Sequence, residues 1–267
     1  MTSKNAFASR WSGKWALVTG ASAGIGLALA EELASAGVNL VITARRKDRL
    51  ESLATRVRAG HNVKVEVLPA DLANPAAPDQ IRTFTQAKSL EIELLINNAG
   101  FGAYGPFHHS DLRRQLEMVQ VNCAAVVHLT HLYLPEMVAR RHGDILIVAS
   151  VAGFQAVPYI STYAATKAFD LRFAEGIAEE VRRYGVNVCA LCPGSTATEF
   201  REVAGQPERT FSGAETAAKV ARVGLRALAA GKSSVISGLK NALSVEGQRL
   251  APRSLVSRVA ASMFEPK

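Results

Sequence analysis

Residues 16–37 read ALVTGASAGIGLALAEELASAG, and this stretch decides how the rest of the 267-residue chain is read. An apolar, β-prone run ends at Thr19 and Gly20, and beyond Gly24 the apolar residues recur with helical spacing. Between the two patterns lie Gly20, Gly24 and Gly26. Glycine permits the tight turn and lets the backbone come close to a ligand. The helix that follows begins with N–H groups that have no intrahelical partner and with the positive end of its dipole, a combination suited to a pyrophosphate. A glycine pattern alone is weak evidence. The strand before it and the helix after it supply the context that a dinucleotide-binding turn requires.

The same alternation runs along the whole chain. Strands are expected over residues 16–19, 39–43, 63–68, 94–96, 145–149, 186–191 and 234–236, and helices over 24–35, 48–59, 77–87, 111–139, 162–184 and 215–230. Strictly alternating strands and helices build βαβ units and a parallel sheet, so the fold class is α/β. The length suits one domain, residues 1–267, with an N-terminal tail over 1–14 and a C-terminal extension over 238–267. Residues 195–213 break the pattern: they are long, polar and interrupted by Gly205 and Pro207, which marks a substrate loop or lid.

Composition excludes several function classes. Apolar residues make up 48% of the chain, yet the longest apolar runs, CAAVV (123–127) and ILIVA (145–149), are far shorter than the roughly 18 residues of a membrane span. The first 14 residues have no apolar core of a secretory signal, and a cytoplasmic location is expected. The net charge of +8 is concentrated in three segments, 1–14 at +3, 45–58 at +4 and 232–267 at +4, and the remainder sums to −3. No long basic stripe results, and with aromatics at only 6% nucleic-acid binding is not expected. Cys189 and Cys192 form C-x-x-C, but at the end of an apolar strand and with no second pair, so neither a zinc site nor a redox motif is read. His128 with His131, and His108 with His109, lack a matching carboxylate or thiol, and no metal is expected. GKSS at 231–234 fails as a phosphate loop because Arg226 stands where that loop needs glycine.

The glycine spacing G-x-x-x-G-x-G differs from the commoner G-x-G-x-x-G. Thr19-Gly20-Ala21-Ser22-Ala23-Gly24-Ile25-Gly26 resembles the short-chain dehydrogenase/reductase family, and further marks of that family follow in order. They are NNAG at 97–100, Asn122, Ser150, YAATK at 163–167, and Pro193-Gly194 with Thr198 beyond. The resemblance implies a Rossmann-type, doubly wound, seven-stranded parallel sheet with helices on both faces. It implies cofactor contacts from Gly20, Ser22, Gly24, Ile25 and Gly26, from Asp71 and Leu72 at the adenine, and from Asn98, Pro193 and Thr198. In such proteins an acid at the end of the second strand binds the 2′-hydroxyl of NAD. Here that strand ends in Thr43-Ala44-Arg45-Arg46, and the nearest acid, Asp48, is expected to cap the next helix. An arginine fork grips a 2′-phosphate that a carboxylate would repel, so NADP(H) is the expected cofactor, with Arg45 as its main contact and Arg46 assisting.

Tyr163 and Lys167 are four apart at the start of a helical pattern and share a face. A free phenol, with pKa about 10, is a poor base at neutral pH, and a neighbouring ammonium moves it towards the working range. The resemblance implies that Ser150 holds the substrate oxygen, that Lys167 and Tyr163 also touch the nicotinamide ribose, and that Asn122 keeps a water in a proton relay. It further implies transfer of hydride to a carbonyl, or from a secondary alcohol. The expected substrate walls, 101–107, 154–160 and the lid, are mostly apolar, which points to a ketone or aldehyde with a hydrophobic body, of 3-oxoacyl or steroid-like type. Phe169, Phe173, Ile177 and Val181 repeat along one helix flank, and the resemblance makes a homodimer or homotetramer the expectation. The last 30 residues are expected to pack over the cleft or on a subunit rather than on a membrane surface, because Pro252 interrupts their period. A non-catalytic NADP(H)-sensing module on the same fold is the competing reading; such sensors generally lack the Tyr-Lys pair.

Overall fold

The computed structural model describes residues 7–210 and 213–266. In chain order the elements are α1 (Ala8–Trp11), β1 (Trp15–Thr19), α2 (Gly24–Ser35), β2 (Asn39–Ala44), α3 (Lys47–Gly60), β3 (Val65–Pro69), α4 (Ala77–Ala87) and β4 (Ile92–Asn97). There follow α5 (Leu112–Val119), α6 (Ala125–Arg140), β5 (Gly143–Val148), α7 (Ser161–Val181) and β6 (Val186–Cys192). The chain closes with β7 (Thr196–Ala197), α8 (Phe200–Ala204), β8 (Glu215–Thr216), α9 (Ala217–Ala229), β9 (Ser234–Ile236), α10 (Leu239–Gln248) and α11 (Arg253–Phe264).

Seven strands form one parallel sheet in the order β3-β2-β1-β4-β5-β6-β9. Residue alternation on the strands feeds two apolar layers. Ala16, Val18, Leu40, Ile42, Leu94, Ile96, Leu146 and Leu191 face α2, α3 and α9. Leu17, Val41, Leu95, Ile145, Ile147 and Val188 face α4, α6 and α7. Helices therefore cover both faces, and the strands, buried on both sides, read as continuous apolar runs.

Three features differ from the sequence reading. The helix expected over 111–139 is two helices joined by a π-helical turn, Gln120–Ala124, where Ala125 N–H bonds to the Gln120 carbonyl. A π turn leaves no periodicity signal in so short a stretch, and such turns concentrate at functional sites. Asp48 is not the cap of α3: that helix starts one residue earlier, Arg46 is its cap residue without a side-chain capping bond, and Asp48 lies inside the first turn. There its negative charge favours the positive helix end instead. The stretch expected as a tail over 1–14 is packed from residue 7 onward, with Phe7 at 2% and Trp11 at 0% exposure; residues 1–6 lie outside the described residues. In the expected lid over 195–213, β7 pairs with β8 and α8 follows, while Phe211 and Ser212 lie outside the described residues. In the C-terminal extension, Pro252 stands at the start of α11 and separates it from α10, and Lys267 is not described. No helix of the described residues is long and apolar enough to cross a membrane.

α1 is fastened at the amino end of β5, at the opposite end of the strands from the glycine turn. Asp144, fully buried, accepts from Trp11 Nε1 at 2.7 Å, from Arg10 Nε and Nη2 at 2.9 Å each, and from Asn187 Nδ2 at 2.8 Å. A buried carboxylate so surrounded holds its donors in place, and removing it strands them. Asp144→Ala is expected to lower the unfolding free energy by about 3–5 kcal/mol in chemical denaturation. Arg10→Ala, which leaves Trp11 and Asn187 in place on a part-exposed pair, is expected to lose much less.

Candidate active site

The chain leaves β1 towards β2 and β3 on one side of the sheet and continues from β4 towards β5, β6 and β9 on the other. Between β1 and β4 the winding reverses, and a crevice opens at the carboxyl ends of the strands. It holds a cavity of about 400 Å³. Thr19, at the end of β1, stitches its floor: the hydroxyl donates to Ile96 O at 3.1 Å and accepts from Asn98 N–H at 2.9 Å and Ala99 N–H at 3.0 Å. Asn98 Nδ2 donates to Thr19 O at 2.8 Å. The second Asn of NNAG is thus tied across the switch point, while Asn97 donates to Thr130 Oγ1 at 3.1 Å.

The glycine turn lies on this floor. Gly20 has φ +68°, a conformation that L side chains rarely adopt. Gly26 is needed for space: a Cβ there would lie 2.3 Å from Asn98 Nδ2 and 2.4 Å from Gly20 O. The residue before α2, Ala23, has no side-chain oxygen to cap the helix, so the first-turn N–H groups face the crevice without such a cap. Gly20, Ser22, Gly24 and Ile25 line the cavity, whereas Gly26 lies beneath it.

At the far end from Tyr163 stand the β2 arginines. Both Arg45 and Arg46 line the cavity, but they differ in partners. Arg46 donates to Ser22 Oγ at 3.3 and 3.4 Å and to Glu199 Oε2 at 2.8 Å. Arg49 pairs with the other oxygen of Glu199. Bonds from Arg46 and then Arg49 hold the Glu199 carboxylate below its ordinary range. Asp71 and Leu72 line the same end; Asp71 Oδ1 accepts from Ala73 N–H at 3.0 Å. Pro193 and Thr198 line the cavity from the lid side.

At the other end, β5 delivers Ser150 and the first turn of α7 delivers Tyr163. Ser150 accepts from Ala152 N–H at 3.1 Å and heads the short 3-10 turn Val151–Phe154. Burial pushes the Tyr163 phenol up, while Lys167 and a hydrogen bond with Ser150 pull it down. Lys167 is 5% exposed, and its ammonium donates to Val148 O at 2.7 Å and to Asp170 Oδ2 at 2.9 Å. Burial acts to lower its pKa, but Asp170 and Tyr163 outweigh this and the ammonium lies above its ordinary value. Asn122 is fully buried in the π turn and does not line the cavity. Its Oδ1 accepts from Phe101 N–H at 3.1 Å, and its Nδ2 donates to Phe101 O and Thr166 Oγ1 at 3.0 Å each. Thr166 in turn donates to Tyr163 O at 2.7 Å, so Asn122 joins the wall after β4 to the base of the tyrosine.

The apolar wall draws on the expected segments but not on all of their residues. Phe101 and Ile160 line it, but Phe107, after Pro106, turns outward and is 64% exposed. Phe200 and Val203 of α8, in the expected lid, and Phe264 of α11, in the extension expected over the cleft, complete it, with the Phe200 ring 5.0 Å from that of Tyr163. Tyr104 Oη donates to Phe264 O at 2.7 Å and pins α11 over the cleft, where Ala260 packs with Val157, Ile160 and Ala164. Glu199 and Phe264 carried no motif in the sequence. Asp170 did carry one signal, a charge on a helix one turn beyond Lys167 at a position that the flanking Leu171 and Ala174 mark as core.

The residues set aside earlier stay apart from this cavity. Cys189 and Cys192 are buried free thiols, both pushed by desolvation up to about 12. His128 lies 3.2 Å from Asp79 on the surface. Glu91, Glu93 and His142 stand close together among the described residues, but at the opposite end of the sheet, with Arg140 3.7 Å from Glu93.

The family model described as short chain dehydrogenase matches residues 14–209. The chain is 34% identical over 195 residues to the very-long-chain 3-oxoacyl-CoA reductase of Homo sapiens, covering 72% of this chain and 62% of that protein. It therefore spans less than two thirds of that relative's length. With the 7beta-hydroxysteroid dehydrogenase of Clostridium sardiniense it shares 33% identity over 186 residues, 70% of each chain. A solved short-chain dehydrogenase from Sphingobium yanoikuyae in complex with NADPH matches with a TM-score of 0.82 at 32% identity, over 91% of this chain and 95% of that one.

Two glycine-to-alanine changes of opposite sign test the tight floor. Gly26→Ala is expected to destabilise by about 1–3 kcal/mol through overpacking against Asn98 and Gly20. Gly176→Ala, in mid α7 with no atom within 4 Å of the new Cβ, is expected to stabilise by about 0.5–1 kcal/mol. Denaturant melts of the two variants beside the parent read both.

Proposed function

The chain belongs to the short-chain dehydrogenase family, and from that premise we propose that it is an NADP(H)-dependent oxidoreductase acting on a carbonyl or secondary alcohol with a hydrophobic body. The observation that carries the reading is the convergence of Ser150, Tyr163 and Lys167 on one cavity whose other end is the glycine turn. A sensor would need the turn and the arginines but not this trio.

The residues present suit the cofactor. Gly20 and the uncapped start of α2 form a cradle for a pyrophosphate. Arg45 and Arg46 suit a 2′-phosphate better than a ribose hydroxyl, and Asp71 and Leu72, which line the same end, would border the adenine. The partner of Arg46, Glu199, is part-exposed and its ion pair is of the weak, exchangeable kind. Thr198, Pro193 and Asn98 would flank the nicotinamide half. When bound, the cofactor supplies or accepts the hydride, chemistry that no side chain here offers.

What the chain's own residues do is hold oxygen and move a proton. Ser150 Oγ hydrogen-bonds the substrate oxygen and fixes it against the tyrosine. In the reducing direction the Tyr163 hydroxyl donates its proton to the oxygen as negative charge develops there, and in the oxidising direction the phenolate takes that proton back. Lys167 stabilises the phenolate and offers its remaining N–H to the ribose. Asn122 fixes the wall at Phe101 and the first turn of α7 behind Tyr163; a relay water is assigned to it on the family resemblance alone. The desolvated walls strengthen each of these contacts.

Phe101, Ile160, Phe200, Val203 and Phe264 favour a ketone or aldehyde on an apolar skeleton, in keeping with the acyl and steroid substrates named for its relatives. The part-exposed, stacked rings of Phe169 and Phe173 on α7, 5.7 Å apart, support a homodimer or homotetramer. A cytoplasmic location completes the reading.

A panel of apolar ketones and 3-oxoacyl thioesters, run with NADPH and NADH side by side, tests the class: NADPH oxidation is expected, and tight NADPH binding without turnover on any member would favour the sensor. Tyr163→Phe is expected to lower kcat by at least about 100-fold, in line with the loss of a general acid, while NADPH affinity stays within a few-fold. Arg45→Asp and Arg46→Asp are each expected to weaken NADPH far more than NADH in fluorescence titration; equal losses would refute the 2′-phosphate assignment.

A further inference from the structure

Asp170 is used by none of the roles described so far. It is fully buried, one turn beyond Lys167 on α7, and its Oδ2 accepts from Lys167 Nζ at 2.9 Å. The two side chains are 1% and 6% exposed. The other oxygen, Oδ1, is buried without a hydrogen-bond partner. Leaving a carboxylate oxygen unpaired in the interior is expensive, and a leucine would suit the surrounding apolar layer better. A charge kept under those conditions is there for its effect on the neighbouring ammonium.

Resting on the reading of Tyr163 as the proton donor, we propose that Asp170 is a positioning residue that anchors Lys167 from behind and biases Tyr163 towards its proton-donating form. A lysine ammonium has three N–H donors. Asp170 Oδ2 and Val148 O take two of them, and one is left to face the ribose and Tyr163. The electrostatic effect follows from the same geometry. A lone buried ammonium near a phenol strongly favours the phenolate. With a carboxylate 2.9 Å from the ammonium, Tyr163 faces a pair of zero net charge, and much of that pull is cancelled.

Among the described residues no other charge competes. The groups facing the pair are Tyr163 on α7, Ser150 at the end of β5, Cys123 in the π turn and Cys192 on β6. Burial pushes both thiols up to about 12, so they are uncharged at neutral pH. Asp170 itself is pushed up by burial and held down by Lys167. Its influence on Tyr163 is upward, opposite to that of Lys167. While Lys167 stays an ammonium the sign is definite: removing the Asp170 charge lowers the pH at which Tyr163 ionises. An enzyme with Asp170 keeps the phenol protonated and is suited to reduction, and one without it is shifted towards alcohol oxidation at lower pH.

The test is an ultraviolet difference titration of tyrosinate, parent against Tyr163→Phe, which needs no substrate and so stands apart from the outcome of the carbonyl panel. In the parent, Tyr163 is expected to stay protonated through at least about pH 8, and a step near neutral pH would overturn the proposal. In Asp170→Asn the step is expected to move down by about one pH unit, together with the acid limb of kcat/KM for alcohol oxidation. Asp170→Glu, which restores the charge, is expected to keep the parental step. A folded, NADPH-binding Asp170→Asn with an unmoved step would overturn the proposal, as would an equal shift in both variants. If Asp170→Asn does not fold, the parent titration and Asp170→Glu decide alone.

Discussion

The crevice depends on how closely β1 and β4 are held at the point where the sheet reverses its winding. Two parallel neighbours that end side by side would normally splay as their chains leave for opposite faces. Here the Thr19 hydroxyl makes three bonds across the gap, to Ile96 O and from the N–H groups of Asn98 and Ala99, and Asn98 Nδ2 returns a fourth to Thr19 O. Such a closed set of buried polar partners is worth more as a geometric constraint than as net stability. It also leaves no room above it, and Gly26 is the residue that this lack of room demands. The glycine turn is thus as much a consequence of the stitched floor as a device for approaching a ligand.

The parallel topology supplies the rest. Since every strand of the main sheet points the same way, β5 and β6 bring Ser150 and Pro193 to the edge where β1 brings Gly20. α7 then returns across the second apolar layer, with Leu171 and Ala174 buried and Tyr163 at its start. Burial of that helix sets the chemistry. An ammonium placed so deep has to be compensated, and Val148 O and Asp170 do so. Their positions decide which way the last N–H of Lys167 points.

Legibility in the sequence followed the length and periodicity of each signal. All seven strands of the main sheet and the extents of α2 and α4 were readable because continuous apolar runs and 3.6-residue spacing leave few alternatives. Ser150, Tyr163 and Lys167 were readable because their types and spacings match a chemical task. The π turn at Asn122 was not, since its five residues are too few to carry a period of their own. Phe200 and Val203 lie in the expected lid and Phe264 in the extension expected over the cleft, but which residues of these segments reach the cavity is set by tertiary packing and was not readable. The helix start at Lys47 was misplaced because Asp48 has the composition of a cap residue, and composition does not distinguish the cap from the first turn.

Each end of the cavity thus holds a cation already paired with a carboxylate of the chain, and the two pairs differ in burial. Lys167 and Asp170 are sealed from water, so breaking them would leave a bare charge in the interior and they stay fixed. Arg46 and Glu199 are about 40% exposed each, so water screens the pair and its exchange for another anion is cheap. For the proposed NADP(H), a 2′-phosphate arriving at Arg46 competes with Glu199, which belongs to the same segment as Thr198 and Phe200. Release of that carboxylate frees one attachment of α8, the helix whose Phe200 and Val203 form the substrate wall. The adenine end is built to exchange partners and the nicotinamide end to keep them, and the lid is joined to the end that exchanges.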